Sequence, residues 1–181
     1  MRNAVELVVH YRSFIGIVCL LAVLFLATPT PVSIFCGFFL ILVGMSLRGW
    51  AAGYINKDQS LATDGPYSLT RNPLYFANFI LGCGIALAGN NLYGYLVFLV
   101  YYLTFFSFLI ALESKRLRTK FGKEYDEWSK TSNLFFPKIK KIDRFNFNIS
   151  YYMRNKEYRV LFFSLCVVAI LIVKYLMRIH A

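Results

Sequence analysis

The chain has 181 residues, of which 58% are hydrophobic, 18% aromatic and 16% charged, a balance too apolar for an ordinary soluble domain of this length. Four or five spans of roughly 20 residues would use about half of it, which excludes a separate soluble catalytic domain and places any chemistry in or at a bilayer. The formal net charge is +11; because the basic residues abut apolar runs, membrane lipids are the expected partners and nucleic acid is not. The four cysteines (Cys19, Cys36, Cys83 and Cys166) lie unpaired inside apolar runs, and the two histidines sit near the termini. Neither set predicts a metal site or a disulfide.

In chain order, Arg2 and Arg12 precede an apolar run at 14–28. No small-residue cleavage pattern accompanies it, so a retained first helix is expected. Thr28-Pro29-Thr30-Pro31 stops that run and 32–47 is the second, which together predict a tight antiparallel hairpin. Residues 48–73 then leave the membrane, with Arg48, Trp50, Tyr54 and Lys57 reading as an interfacial belt. Within this loop the stretch 65–75 is polar and turn-rich. Pro66 and Pro73 push Gly65 and Asn72 out of the helical region. Pro73 fits the first position of the next helix, with Asn72 as its N-cap. The free amides and positive dipole end there suit an anionic group, and Arg71 adds a full charge. A capped connector between two membrane helices would use the same residues.

The third span is 74–88, in which Gly82 and Gly84 permit close helix packing or a nearby ligand, packing being favoured. After Gly89-Asn90-Asn91, the run 92–112 is the fourth and most aromatic span. It is expected to end at Glu113, the one acidic residue that reads as lying at the inner end of a span. A carboxylate there is costly without a partner and opposes the helix dipole, which favours a functional role over pairing with Lys115, Arg116 or Arg118. Leu117, Phe121, Tyr125 and Trp128 then recur at helical spacing and predict an amphipathic surface helix, with Gly122 as its weak point. Phe135-Phe136-Pro137 closes it, and 138–159 is a basic and aromatic interfacial strip. The run 160–177 is the last span, with Lys174 snorkelling to the surface.

The two short turns hold no lysine or arginine, whereas 48–72 and 113–159 hold most of them. The N-terminus, the bend and the Glu113 helix are therefore expected on the cytoplasmic side. The predicted fold is an all-α, polytopic integral membrane helical bundle of about five transmembrane helices with a cytoplasmic amphipathic helix, forming one membrane domain over 1–181.

Gly65-Pro66-Tyr67, Arg71-Asn72-Pro73-Leu74-Tyr75, and then Glu113 with Leu117, Phe121-Gly122, Tyr125, Trp128 and Pro137 resemble the isoprenylcysteine carboxyl methyltransferase and phospholipid methyltransferase family. The usual pattern there is Gly-x-Tyr, Arg-His-Pro-x-Tyr, then Glu-Glu-x-x-Leu with Phe-Gly-x-x-Tyr. Asn72 replaces the histidine and Ser114 the second glutamate. Asparagine keeps a donor and an acceptor but carries no charge, so positioning survives the exchange and proton transfer does not. The resemblance implies an S-adenosylmethionine-dependent methyltransferase acting on a membrane-embedded acceptor, either the carboxylate of an isoprenylated thiol compound or a lipid headgroup. It implies cofactor binding by Tyr67, Arg71, Asn72, Leu74, Tyr75 and Glu113, with no metal, and assigns no catalytic residue. Tyr125 and Trp128 would close the pocket or anchor the surface helix. An NADPH-dependent sterol or lipid reductase carries a similar bend and is the rival enzyme reading; Glu113 argues against it. A non-catalytic membrane protein retaining the fold is the third.

Overall fold

The computed structural model describes residues 2–56, 60–139, 142 and 146–180; Lys57 of the predicted belt lies outside them. The described chain is helical: α1 (Arg2–Leu26), α2 (Pro31–Ala52), α3 (Pro66–Leu69), α4 (Pro73–Gly89), α5 (Leu92–Tyr101), a π-helical turn (Tyr102–Phe106), α6 (Ser107–Phe121), α7 (Lys123–Thr131), α8 (Ile149–Arg154) and α9 (Tyr158–Ile179). Three helices are long and apolar enough to cross a bilayer: Pro31–Ala52, the continuous Leu92–Phe121, and Tyr158–Ile179. The other two predicted spans fall on shorter apolar helices, Phe14–Leu26 and Pro73–Gly89. With 17 residues, α4 is only about 25 Å long, somewhat less than a hydrocarbon core.

Small residues set the packing. A Cβ on Gly37 would lie 2.5 Å from the Gly84 carbonyl oxygen, and one on Gly44 would lie 2.7 Å from the Leu81 nitrogen. Hence α2 and α4 meet backbone to backbone, and Gly84 is a packing residue. Gly82 faces the Phe98 ring. This close pairing displaces the predicted α1–α2 hairpin: α4 lies along α2, and α1 packs against α5. The turn between α1 and α2 forms as expected, with Thr30 and Ser33 making a reciprocal capping box. Val23, Ile41, Ile85, Val167 and Leu171 form the core where α1, α2, α4 and α9 converge.

The two short turns lie together, joined by the Thr28 amide donating to the Gly89 carbonyl at 2.7 Å and the Thr28 hydroxyl donating to the Asn90 carbonyl at 2.8 Å. Lys174 reaches the end of a neighbouring helix. Its ammonium caps the C-terminus of α1 through the carbonyls of Leu24 at 2.8 Å and Phe25 at 2.5 Å, where orphan acceptors and the negative dipole end favour a cation.

At the other end the chain departs from expectation in two places. The Glu113 helix does not stop at the membrane boundary but runs on to Phe121, so Glu113 is a mid-helix residue and the dipole argument against it lapses. The helix breaks at Gly122 instead, with φ 51°, and α7 folds back. Tyr125 and Trp128 are thereby buried against Tyr54, Leu61 and Tyr67.

Candidate functional site

The bend is a built structure, held from three sides. Gly65 takes φ 55°, and a Cβ there would lie 2.4 Å from the Tyr54 ring, so both conformation and space demand glycine. Gly65→Ala is expected to cost roughly 1–3 kcal/mol from backbone strain alone, measured as a lowered thermal midpoint of the purified protein in detergent. Below it, the segment after α7 runs alongside: the Arg71 amide donates to the Asn133 carbonyl at 2.8 Å, and the Lys138 amide to the Leu69 carbonyl at 3.0 Å. The Thr70 hydroxyl donates to the Phe135 carbonyl at 2.8 Å, and the Trp128 indole N–H to the Tyr67 carbonyl at 3.1 Å. Trp128 is thus fastened to the bend itself, more than an anchor for a surface helix.

Asn72 stands at the N-cap of α4 with φ −129°, and its carbonyl accepts from the Phe76 amide at 2.9 Å, but its side chain makes no cap. The carboxamide instead donates to the Leu134 carbonyl at 2.8 Å. The Leu74 amide, the first of α4 after Pro73, is therefore left without an intrahelical acceptor. Tyr75 is fixed by its carbonyl, which accepts from the Tyr102 hydroxyl at 2.7 Å, and by its ring, edge-on to Phe106 at 5.6 Å.

All six predicted residues, Tyr67, Arg71, Asn72, Leu74, Tyr75 and Glu113, line one cavity of about 690 Å³. Leu109, Glu113, Arg116, Leu117, Lys120 and Phe121 also line it, their three- and four-residue spacing defining the face α6 turns inward. Tyr101 and Phe106 reach the same cavity although they are five residues apart, which the intervening π turn accommodates. Its lining combines polar side chains, among them Asn56, Arg71, Asn72, Glu113, Arg116 and Lys120, with apolar ones such as Ile17, Leu20, Phe106, Leu109 and Phe163. Among the described residues no hydrogen bond or ion pair holds the Glu113 carboxylate. The Arg71 Nε is buried without a hydrogen-bond partner. Burial pushes the Tyr67 phenol well above its ordinary range, with Glu157 and Glu113 adding to the effect, so Tyr67 stays a neutral hydroxyl at physiological pH.

Sequence reasoning missed one pair. Arg48, read as an interfacial belt residue, lines the cavity and forks onto Glu157, with Nε to Oε2 at 2.6 Å and Nη2 to Oε1 at 3.2 Å. Its Nη1 donates to Asn78. Glu157 is 7% exposed and immediately precedes α9, so Glu113 is not the sole carboxylate at a membrane helix near this end. A final span begun at residue 160 conceals that placement, and the partners are 109 residues apart.

Taken together, these features define an all-helical, polytopic integral membrane protein with a cavity lined by both polar and apolar side chains, Trp128 of α7 among them. Residues 30–124 match the phospholipid methyltransferase family, and the chain belongs to it. That stretch contains both the bend and Glu113. The chain is similar to the cobalt-zinc-cadmium resistance protein CzcN of Cupriavidus metallidurans, with 30% identity over 136 residues, covering 70% of this chain and 62% of that protein. It is also similar to the protein-S-isoprenylcysteine O-methyltransferase of Schizosaccharomyces pombe, with 33% identity over 91 residues, covering 50% of this chain and 39% of that protein. A third relative is the nickel-cobalt-cadmium resistance protein NccN of Alcaligenes xylosoxydans xylosoxydans, at 30% identity over 94 residues, 51% of this chain and 44% of that protein. The chain therefore spans between 39% and 62% of the length of these relatives. No solved structure matches it significantly. Among the described residues no cluster of three metal-ligating side chains occurs.

Proposed function

We propose that the protein is a methyltransferase that binds S-adenosylmethionine against the polar side chains of the large cavity and receives a lipid-like methyl acceptor against its apolar ones. The observation that carries this reading is the meeting, on one amphipathic cavity, of a bend at 65–75 and a carboxylate some forty residues later, each with unspent polar groups. The cofactor is a zwitterionic amino acid at one end. The free Glu113 carboxylate suits its ammonium, while the positive charge of Arg71 and the Leu74 amide at the start of α4 suit its carboxylate. Tyr67 and Tyr75 shape the walls, and Asn72, committed to Leu134, holds the bend closed in a positioning role that needs no charge.

When bound, S-adenosylmethionine supplies a methyl group already activated on a sulfonium. The chain's part is to align acceptor and donor and to exclude water, and alignment alone accounts for much of the acceleration such reactions require. Tyr67 is held neutral and the bend has asparagine in place of histidine, so among the described residues Glu113 is the carboxylate that lines the cavity. If Glu113 holds the cofactor, the acceptor must ionise by itself. This favours a carboxylate, as on an isoprenylated thiol compound, over an amine headgroup that must first lose a proton. The activity named for the Schizosaccharomyces pombe relative supports the same choice, and the family name keeps a lipid headgroup as the alternative. The lysines and arginines concentrated in 48–72 and 113–159 support a cytoplasmic N-terminus, bend and Glu113 helix in this reading, with 1–181 as one membrane domain. Isothermal calorimetry on the purified protein in nanodiscs tests the reading. Saturable S-adenosylmethionine binding with no NADPH binding is expected; NADPH binding alone would overturn it in favour of a reductase, and binding of neither would overturn it in favour of a non-catalytic membrane protein.

A further inference from the structure

Among the described residues the lining of the large cavity carries four cations, Arg48, Arg71, Arg116 and Lys120, against the one carboxylate of Glu113. Arg48 is balanced by Glu157, whose Oε2 meets its Nε at 2.6 Å. The cofactor reading matches Arg71 to a carboxylate and Glu113 to an ammonium, a neutral exchange. It gives no task to Arg116 and Lys120, and a bound sulfonium adds a further positive charge to the same space. A cationic second guest would be repelled there, whereas an anion would be drawn in.

Both residues belong to the face that α6 turns inward. Glu113, Arg116 and Lys120 stand at i, i+3 and i+7 of one helix, so the two cations follow Glu113 by about 4.5 Å and about 10 Å along the axis. Side chains on a helix tilt toward its N-terminus, which leans both cations back toward the turn of Glu113. A guanidinium has five N–H donors in a fork that fits a carboxylate, so Arg116 can keep a contact within the protein and still present donors to a ligand. The motif that carries the family resemblance specifies Leu117, Phe121 and Gly122 and leaves the positions of Arg116 and Lys120 open. An amine headgroup would bring its ammonium up to the sulfonium whatever its phosphate gained from the cations. A carboxylate brings negative charge alone.

We propose that Arg116 and Lys120 select the methyl acceptor, binding the anionic group of an amphiphilic carboxylic acid in preference to an aminophospholipid headgroup. The inference rests on the methyltransferase reading above. A carboxylate oxygen of the acceptor takes the methyl carbon as the carbon–sulfur bond breaks and its electron pair goes to sulfur, so the product is an uncharged ester. The two cations therefore lose their hold on the product once transfer is complete.

The test compares the binding of three amphiphiles to the full chain in phosphatidylcholine nanodiscs with S-adenosylhomocysteine present. That ligand lacks the sulfonium and carries no methyl group to transfer, so any preference for an anion comes from the protein. The amphiphiles are S-farnesyl-mercaptopropionic acid, its uncharged primary amide and lysophosphatidylethanolamine, with binding to empty nanodiscs subtracted. The acid is expected to bind at least about 10-fold tighter than the other two, the scale of one charge-assisted hydrogen bond. The double change Arg116→Gln with Lys120→Gln should abolish that preference. Both side chains are exposed, so S-adenosylhomocysteine affinity should stay within about twofold of the parent. Equal binding of acid and amide by the wild type would overturn the inference and leave the methyltransferase reading standing, and tighter binding of lysophosphatidylethanolamine would overturn the carboxylate as the selected group. Loss of S-adenosylhomocysteine affinity in the double variant would assign the two cations to the cofactor and overturn the inference as well. Wild-type protein that binds neither S-adenosylhomocysteine nor S-adenosylmethionine would be a separate failure, that of the methyltransferase reading itself. The wild-type comparison of acid and amide decides the matter even if the double variant fails to fold.

Discussion

Glu113→Gln is expected to weaken S-adenosylmethionine binding by roughly 10- to 100-fold, the loss of one charge-assisted contact worth about 1.5–3 kcal/mol. The fold should be indifferent to the change. Among the described residues nothing pairs with this carboxylate, so the ligand-free thermal midpoint should stay within about 1 °C of the parent, a surface-like response. That separation makes the experiment decisive for the role of Glu113. Calorimetric affinity equal to the parent's would remove it from the cofactor site. A collapse of ligand-free stability would show instead that the carboxylate is structural.

The opposite pattern is expected at Glu157. Replacing it with alanine strips Arg48 of its carboxylate in a place where Glu157 is 7% and Arg48 18% exposed, and breaking a pair that is withdrawn from water typically costs 3–5 kcal/mol. Because Arg48 retains some exposure and its contact to Asn78, about 3 kcal/mol is the expected loss, visible as an earlier unfolding transition in mild detergent. The double change Arg48→Met with Glu157→Leu removes both charges and should recover most of that loss. A double variant as unstable as Glu157→Ala would mean that the fork contributes geometry that apolar packing cannot replace. Asn78 reads out the connection to the large cavity: if the fork positions it, the single variant should also lower S-adenosylmethionine affinity.

The contrast between these carboxylates shows how far a sequence can be read. Glu113 was legible because it closes an apolar run and stands at a fixed distance from the bend, a linear pattern. Glu157 was not, because its meaning comes from a guanidinium 109 residues away. The hairpin between α1 and α2 failed for a related reason. Turn residues fix a turn, but which helix lies beside α2 is decided by whose backbone can come closest, and Gly37, Gly84 and Ala88 give that place to α4.

The sequence by itself determined the helical membrane class, the bend with its two prolines and the break at Gly122, which follow from local rules: apolar run length, fixed proline φ and glycine's access to positive φ. The six residues that meet in the large cavity were singled out by the resemblance of their motifs to a known family. Only the tertiary structure decided that the Asn72 carboxamide holds Leu134 instead of capping α4, that Lys174 caps α1, that Trp128 is fastened to Tyr67, and that Arg48 forks onto Glu157. Each is a contact between segments distant in the chain, and such contacts are selected by packing geometry, which no local pattern encodes.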